Sequence, residues 1–172
     1  MSFNGASNII TINETNFNSD FQNGFTISVW VYVRSIPNAS RVFDKTVTTS
    51  STGGLFMYLA SNKFIAQVNG AGTLTSDPFS LNTWTHVVMT VDSVSHVKLY
   101  VNGTKSGATV TGGALSGLTI NGLALGNRLG ATDRRLDGYI DNFRVYSSDI
   151  TGAEAQKLYT EEAVEHGIAL LY

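Results

Sequence analysis

The chain has 172 residues, a formal net charge of −2 and no cysteine. That length suits a single domain over residues 1–172 with a sizeable core. It leaves no route to a disulfide framework, a thiolate zinc site or a cysteine nucleophile. With no basic cluster, nucleic acid is not an expected partner.

Charged residues make up 14% of the chain, against roughly a quarter in average proteins. Gly, Ser, Thr and Asn take their place, which fits a β-rich protein with many turns and a hydroxyl-rich surface. No apolar run approaches 18 residues, so membrane insertion is not expected. No basic-then-apolar signal pattern opens the sequence. The composition would suit an extracellular or virion setting.

In chain order, a first short strand is expected at residues 8–12. Residues 25–33 form the strongest strand signal. Phe25, Ile27, Val29, Val31 and Val33 share one face, and Thr26, Ser28, Trp30 and Tyr32 the other. Strands at 41–45 and 55–59 follow, split by the polar loop 46–54. Residues 63–69 continue the set, with a turn at Asn69-Gly70. Residues 85–91 alternate cleanly, as do 97–101. Asn102-Gly103 supplies a type I′ hairpin turn, since both positions tolerate positive φ. Short strands at 118–120 and 123–125 precede a closing strand at 139–146. Strand signals spaced about ten residues apart predict a sandwich or barrel. The one helix is expected from Gly152 to about Val164, opened by the capping box Thr151-Gly-Ala-Glu154 and ended at His166-Gly167.

Alternation along the closing strand puts Asp141 on the face of Phe143 and Val145. A buried carboxylate there would need a cation or several donors. The run 138–159, Gly-Tyr-Ile-Asp-Asn-Phe-Arg-Val-Tyr followed by the capped helix, resembles the closing strand and helix of laminin G-like, concanavalin A-like jelly rolls. Other segments fit the same pattern in order: Phe3-Asn-Gly-Ala-Ser-Asn-Ile-Ile, Phe25-Thr-Ile-Ser-Val-Trp30, Trp84-Thr-His-Val-Val-Met-Thr-Val-Asp, Leu99-Tyr-Val-Asn-Gly-Thr and Leu123-Ala-Leu-Gly126. The resemblance implies an all-β antiparallel β-sandwich jelly roll with one short C-terminal helix. It also implies a structural Ca2+ tying the opening strand to the closing strand, held by Asp141 with carbonyls around Asn4 and Gly24. Asp44, Asp92, Asp133 and Asp137 are candidates for a second cation at the rim.

The same fold carries glycanases, whose retaining forms need two carboxyls about 5–5.5 Å apart. No i, i+2 carboxylate pair lies on an expected strand. Asp133, Asp137 and Asp141 are spaced by four residues, about 13 Å along a strand, so no catalytic residue is assigned. His86 and His96 form no metal-binding or nucleophile-activating pattern, and a structural hydrogen-bonding role suits His86. For ligand binding, two candidates stand. One is the loop from Asn127 to Arg135, where Asn127, Asp133, Arg134 and Arg135 suit hydroxyls or carboxylates of an acidic glycan. The other is the Trp30–Tyr32 face, with Trp30 expected in the core. The expected function is non-catalytic recognition of a carbohydrate or glycosylated surface. The alternative is a structural virion or adhesin domain, with a homo-oligomer or other virion proteins as partners.

Overall fold

A computed structural model describes residues 1–13, 17–46, 52–119, 122–128 and 130–169. Among them twelve strands form two six-stranded antiparallel sheets. The first holds β1 (Ser2–Asn4), β12 (Asp137–Tyr146), β3 (Phe25–Ser35), β8 (Trp84–Val91), β9 (His96–Val101) and β10 (Thr104–Thr111), in that order. The second holds β2 (Ile10–Ile12), β11 (Leu123–Leu125), β4 (Arg41–Asp44), β5 (Leu55–Ala60), β6 (Lys63–Val68) and β7 (Ala71–Thr75). Two helices complete the elements, α1 (Phe17–Asp20) and α2 (Gly152–Glu162).

The core lies where the sheets face each other. Ile27, Val29 and Val31 of β3, Val87 and Met89 of β8, and Ile140 of β12 meet Leu55, Met57 and Leu59 of β5 and Phe64 of β6, all fully buried. Full burial of each such side chain contributes about 1.5–3 kcal/mol. The sandwich, its antiparallel pairing and the alternation of β3, β8 and β9 agree with the sequence reading.

Two strands are not visible in the sequence pattern, β7 and β10. Each is a polar edge strand interrupted by a glycine at positive φ, Gly72 and Gly107. There the edges of the two sheets touch. A Cβ on Gly72 would lie 2.1 Å from the Thr111 carbonyl oxygen, and one on Gly107 would lie 2.2 Å from that of Thr75. The strand expected at 118–120 does not form in its described part. Leu115–Gly117 make a 3₁₀ turn instead, with Leu118 as its C-cap. Position 120 lies outside the described residues, as do 47–51 of the loop expected at 46–54.

Asp141 departs from the expectation for a local reason. The pairing of β12 with β3 is shifted between Asp141 and Arg144, and Asn142 sits at φ +45°. This β-bulge reverses the parity of the strand. Ile140 points into the core before it and Phe143 and Val145 pack on the core after it. Asp141 therefore faces outward, with its side chain 54% exposed.

The helix forms as its capping box predicts. Thr151 Oγ1 accepts from the Glu154 N–H, and Glu154 Oε2 accepts from the Thr151 N–H at 2.7 Å. After Glu162 the chain tightens into a 3₁₀ turn, Ala163–His166, which Gly167 ends in the left-handed conformation. Ala155 is buried against Val88 and Tyr100, with Ile150 beside them. Leu158 is only half-buried and lines a groove with Tyr146 and Ile150.

Candidate functional site

Helix α2 covers the outer face of the first sheet and determines which residues of that face meet solvent. Trp30 is fully buried beneath it, as expected for a core position. Its indole Nε1–H donates to Glu162 Oε2 at 2.6 Å, and its ring stacks on His166 at 4.0 Å between centroids. Glu162 also pairs with Arg144 and accepts from Asn142 Nδ2. Thr26 joins the segment before α2 to β3: its hydroxyl donates to the Ser148 carbonyl and accepts from the Ile150 N–H. His86 lies on the same face, 2.8 Å from the Ser28 hydroxyl through Nε2, while its Nδ1 is buried without a partner. Burial, with the nearby Arg144 and His166 charges, lowers the His86 pKa to about 4. His86 is thus a neutral structural residue at physiological pH. His166 is also lowered by burial, an effect that Asp141 partly offsets.

The residues proposed to hold calcium do not converge. Asn4 pairs with Asp137, four residues and about 13 Å along β12 from Asp141. Asp141 pairs with Trp30, which lies six residues, about 20 Å, from Gly24. The Asn4 side-chain oxygen already accepts from the Ala6 and Ser7 amides. Asp141 accepts from the Asn142 N–H and lies 3.4 Å from His166 Nε2. These three residues do not fit one coordination shell. The rim aspartates each have their own partners. Asp44 pairs with Arg41, Asp92 with His96, and Asp137 with Arg34 and Ser35. Asp133 lies near Arg128 and Arg134. Among the described residues no three His, Asp or Glu side chains gather as a metal site.

The loop from Asn127 to Arg135 is brought into a larger site that the sequence did not disclose. Asn127 is buried and organises the loop, donating from Nδ2 to the Ala131 carbonyl, with its Oδ1 unpartnered. The Arg41 N–H donates to the Arg134 carbonyl, and Asn38 Nδ2 to the Asp133 carbonyl. These bonds hold the loop against β4 and the turn before it. Arg41 lies on the outer face of the second sheet, its guanidinium over Phe56 at 4.5 Å and Tyr58 at 4.9 Å. Its Nε donates to buried Asp44 at 2.6 Å. Burial lowers the Arg41 pKa, Asp44 opposes that, and Arg134 and Arg128 lower it further. Three guanidiniums thus share one neighbourhood with two carboxylates, Asp44 and Asp133, an excess of one positive charge. Arg135 Nε is buried without a hydrogen-bond partner.

Tyr32 is separated from this rim and belongs to a different surface. It is half-buried on the outer face of the first sheet, beyond the end of α2, with Trp84 and Tyr139 as its register partners. Neither of those was singled out in the sequence. Alternation alone places Trp84 on the face opposite Val87, but which strands flank β3 is a long-range fact that periodicity does not carry.

The family model described as the concanavalin A-like lectin/glucanases superfamily matches residues 4–156. No curated protein shows significant similarity to the chain. Among solved structures, the heptameric SAP-like pentraxin from Limulus polyphemus is similar with a TM-score of 0.64 at 17% identity, over 92% of this chain and 80% of that one. The binding domain of botulinum neurotoxin DC in complex with SialylT gives 0.66 at 17%, over 89% of this chain but only 39% of the toxin domain. Domain 4 of AbnA, a GH43 extracellular arabinanase from Geobacillus stearothermophilus, in complex with arabinotriose, gives 0.57 at 21%, over 80% of this chain and 66% of that one. At these identities the likeness is one of fold. Among the described residues no helix is long and apolar enough to cross a membrane.

Proposed function

The chain belongs to the concanavalin A-like lectin/glucanase superfamily, and on that premise we propose that it is a non-catalytic module recognising carbohydrate on a glycosylated surface. The observation that carries this reading is the rim where Arg128 and Arg134 lie beside Asp133 and close to Arg41, which itself lies over Phe56 and Tyr58. Guanidiniums offer paired donors to a carboxylate or to vicinal hydroxyls, and the rings beneath Arg41 give the site an apolar floor. Structures of similar fold in complex with SialylT and with arabinotriose support the ligand class. The hydroxyl-rich, weakly charged composition supports a setting outside the cell or on a virion.

The test is a printed array of neutral and acidic glycans probed with the labelled full chain, alongside Arg134→Ala. Binding to carboxylate-bearing glycans, weakened in the variant while the melting temperature is unchanged, is expected. Incubation with the bound glycan should release no new reducing ends, and their appearance would make the protein an enzyme. A blank array together with reversible self-association would favour the structural, virion or adhesin, reading.

A further inference from the structure

A second surface on the opposite side of the sandwich has a different chemistry. On the outer face of the first sheet, Tyr32 of β3 is flanked at the same register by Trp84 of β8 and Tyr139 of β12. The three rings form a compact group. Tyr32 meets Trp84 and Tyr139 edge-on, at 5.7 and 5.6 Å between centroids, and Trp84 and Tyr139 are 6.3 Å apart. Tyr139 is 37% exposed, and the other two are half-buried. Three adjacent aromatic side chains at one level of a polar-faced sheet are not needed by the core, which lies on the other side.

The group is braced on both sides. The His166 ring stands edge-on to Trp84 at 4.9 Å, so the docked end of the C-terminal helix fixes the Trp84 ring. On the other side the Arg34 guanidinium lies over Tyr139 at 5.1 Å. Arg34 is already committed. Its Nε and Nη2 pair with Asp137, Nη2 donates to the Phe3 carbonyl, and Nη1 donates to the Tyr139 hydroxyl. Arg144, the next cation along β12, is held by Glu162. Among the described residues, the two guanidiniums along this part of the sheet are thus both committed. The free polar group is a carboxylate: Asp141 lies two residues, about 7 Å, beyond Tyr139 on the same face of β12. Its exposed oxygens accept from the Asn142 N–H and lie 3.4 Å from His166 Nε2.

We propose that Tyr32, Trp84 and Tyr139 form a binding platform for a neutral saccharide. The apolar C–H face of a pyranose ring would pack on the aromatic faces, and its hydroxyls would donate to Asp141. Aromatic rings supply large contact area at low entropic cost, and an ionised carboxylate is an acceptor with several open positions. Asp137 and Asp141 outnumber Arg34, so a sugar carboxylate is disfavoured here. The platform and the arginine rim thus select opposite ligands on opposite faces of one domain.

Two-dimensional NMR of the full chain tests this, titrated separately with lactose, cellobiose, maltose and mannobiose, and with 3′-sialyllactose as the acidic control. At least one neutral disaccharide should shift amides of β3, β8 and β12 saturably. Tyr139→Ala should weaken that binding about tenfold, the loss of roughly one stacked ring, in protein whose dispersed amide spectrum shows that it stays folded. Trp84→Phe, which keeps a ring in place, should weaken it less, and Arg134→Ala should leave it unchanged. The platform is overturned if no neutral sugar shifts those strands. It is equally overturned if sialyllactose binds there more tightly than lactose, or if Tyr139→Ala leaves binding intact. Sedimentation showing a dimer that Tyr139→Ala dissociates would also overturn it, by making the face a contact between copies. Loss of the acidic-glycan signal in Arg134→Ala bears on the rim alone, so the two sites fail independently.

Discussion

Acidification is expected to destabilise this domain through one buried imidazole. His86 is fully buried with a pKa lowered from 6.5 to about 4, chiefly by burial and further by Arg144 and His166. In the unfolded chain it regains its ordinary value, so between about pH 6.5 and 4 the unfolded state binds a proton that the folded state does not. Stability therefore rises with pH through that window. The full contribution is present above pH 6.5 and is lost as pH falls toward 4, where the loss levels off. A difference of 2.5 units at 1.36 kcal/mol each gives about 3 kcal/mol. That is a large part of a typical stability of about 5–15 kcal/mol. Guanidinium unfolding of the wild type and of His86→Gln at pH 7.5, 6, 5 and 4 measures it. The substitution changes the Ser28 contact by a pH-independent amount and removes the titration. The difference between the two proteins should therefore shift by about 2 kcal/mol in favour of the variant on going from pH 7.5 to 5. Parallel stability curves would refute the reasoning, because they would mean that His86 is protonated within the fold or reached by water.

Glu162→Ala should cost about 2–3 kcal/mol, since it strands the buried Trp30 N–H and releases Arg144; thermal melts measure this, and a red shift of Trp30 emission should accompany it. Thr151→Ala should cost about 1 kcal/mol by removing the helix cap, whereas Leu158→Ala, half-buried beside an open groove, should cost less than the roughly 2–5 kcal/mol of a core leucine. Because Asn4, Gly24 and Asp141 do not meet, a chelator should act equally on the melting temperatures of wild type and Asp141→Ala. A chelator effect abolished only in that variant would show that Asp141 does hold an ion.

The inward residues of β3, β8 and β9 were legible because a sheet with one core face leaves a period of two in the sequence. The burial of Thr26, Ser28 and Trp30 was not legible in that period, since it comes from a helix more than a hundred residues later. The capping box and the resemblance of residues 138–159 announced that helix, but nothing local said where it would dock. Asp141 was misplaced for a different reason. Period-two counting assumes an unbroken strand, and the bulge at Asn142 inserts one residue. The asparagine itself, tolerant of positive φ, was the available signal. The loop from Asn127 to Arg135 was correctly marked as polar and arginine-rich. Its partners Arg41, Phe56 and Tyr58 lie roughly seventy to ninety residues upstream and are brought to it by the Arg41–Arg134 backbone bond and the Asn38 side chain. The aromatic platform has the same origin, three rings from three strands aligned by register.

The glycine contacts between β7 and β10 govern how this molecule meets others. An exposed sheet edge invites another chain to add a strand. Here one pair of edges is sutured by Gly72 and Gly107, where backbone meets backbone too closely for any side chain. The opposite pair ends in β1 and β2, each three residues long. On that side β1 covers only Asp137–Tyr139 of the ten-residue β12. The closed β7–β10 side leaves recognition there to side chains on the faces and loops, where a single substitution can change the choice of ligand while the hydrogen-bonded frame stays as it is.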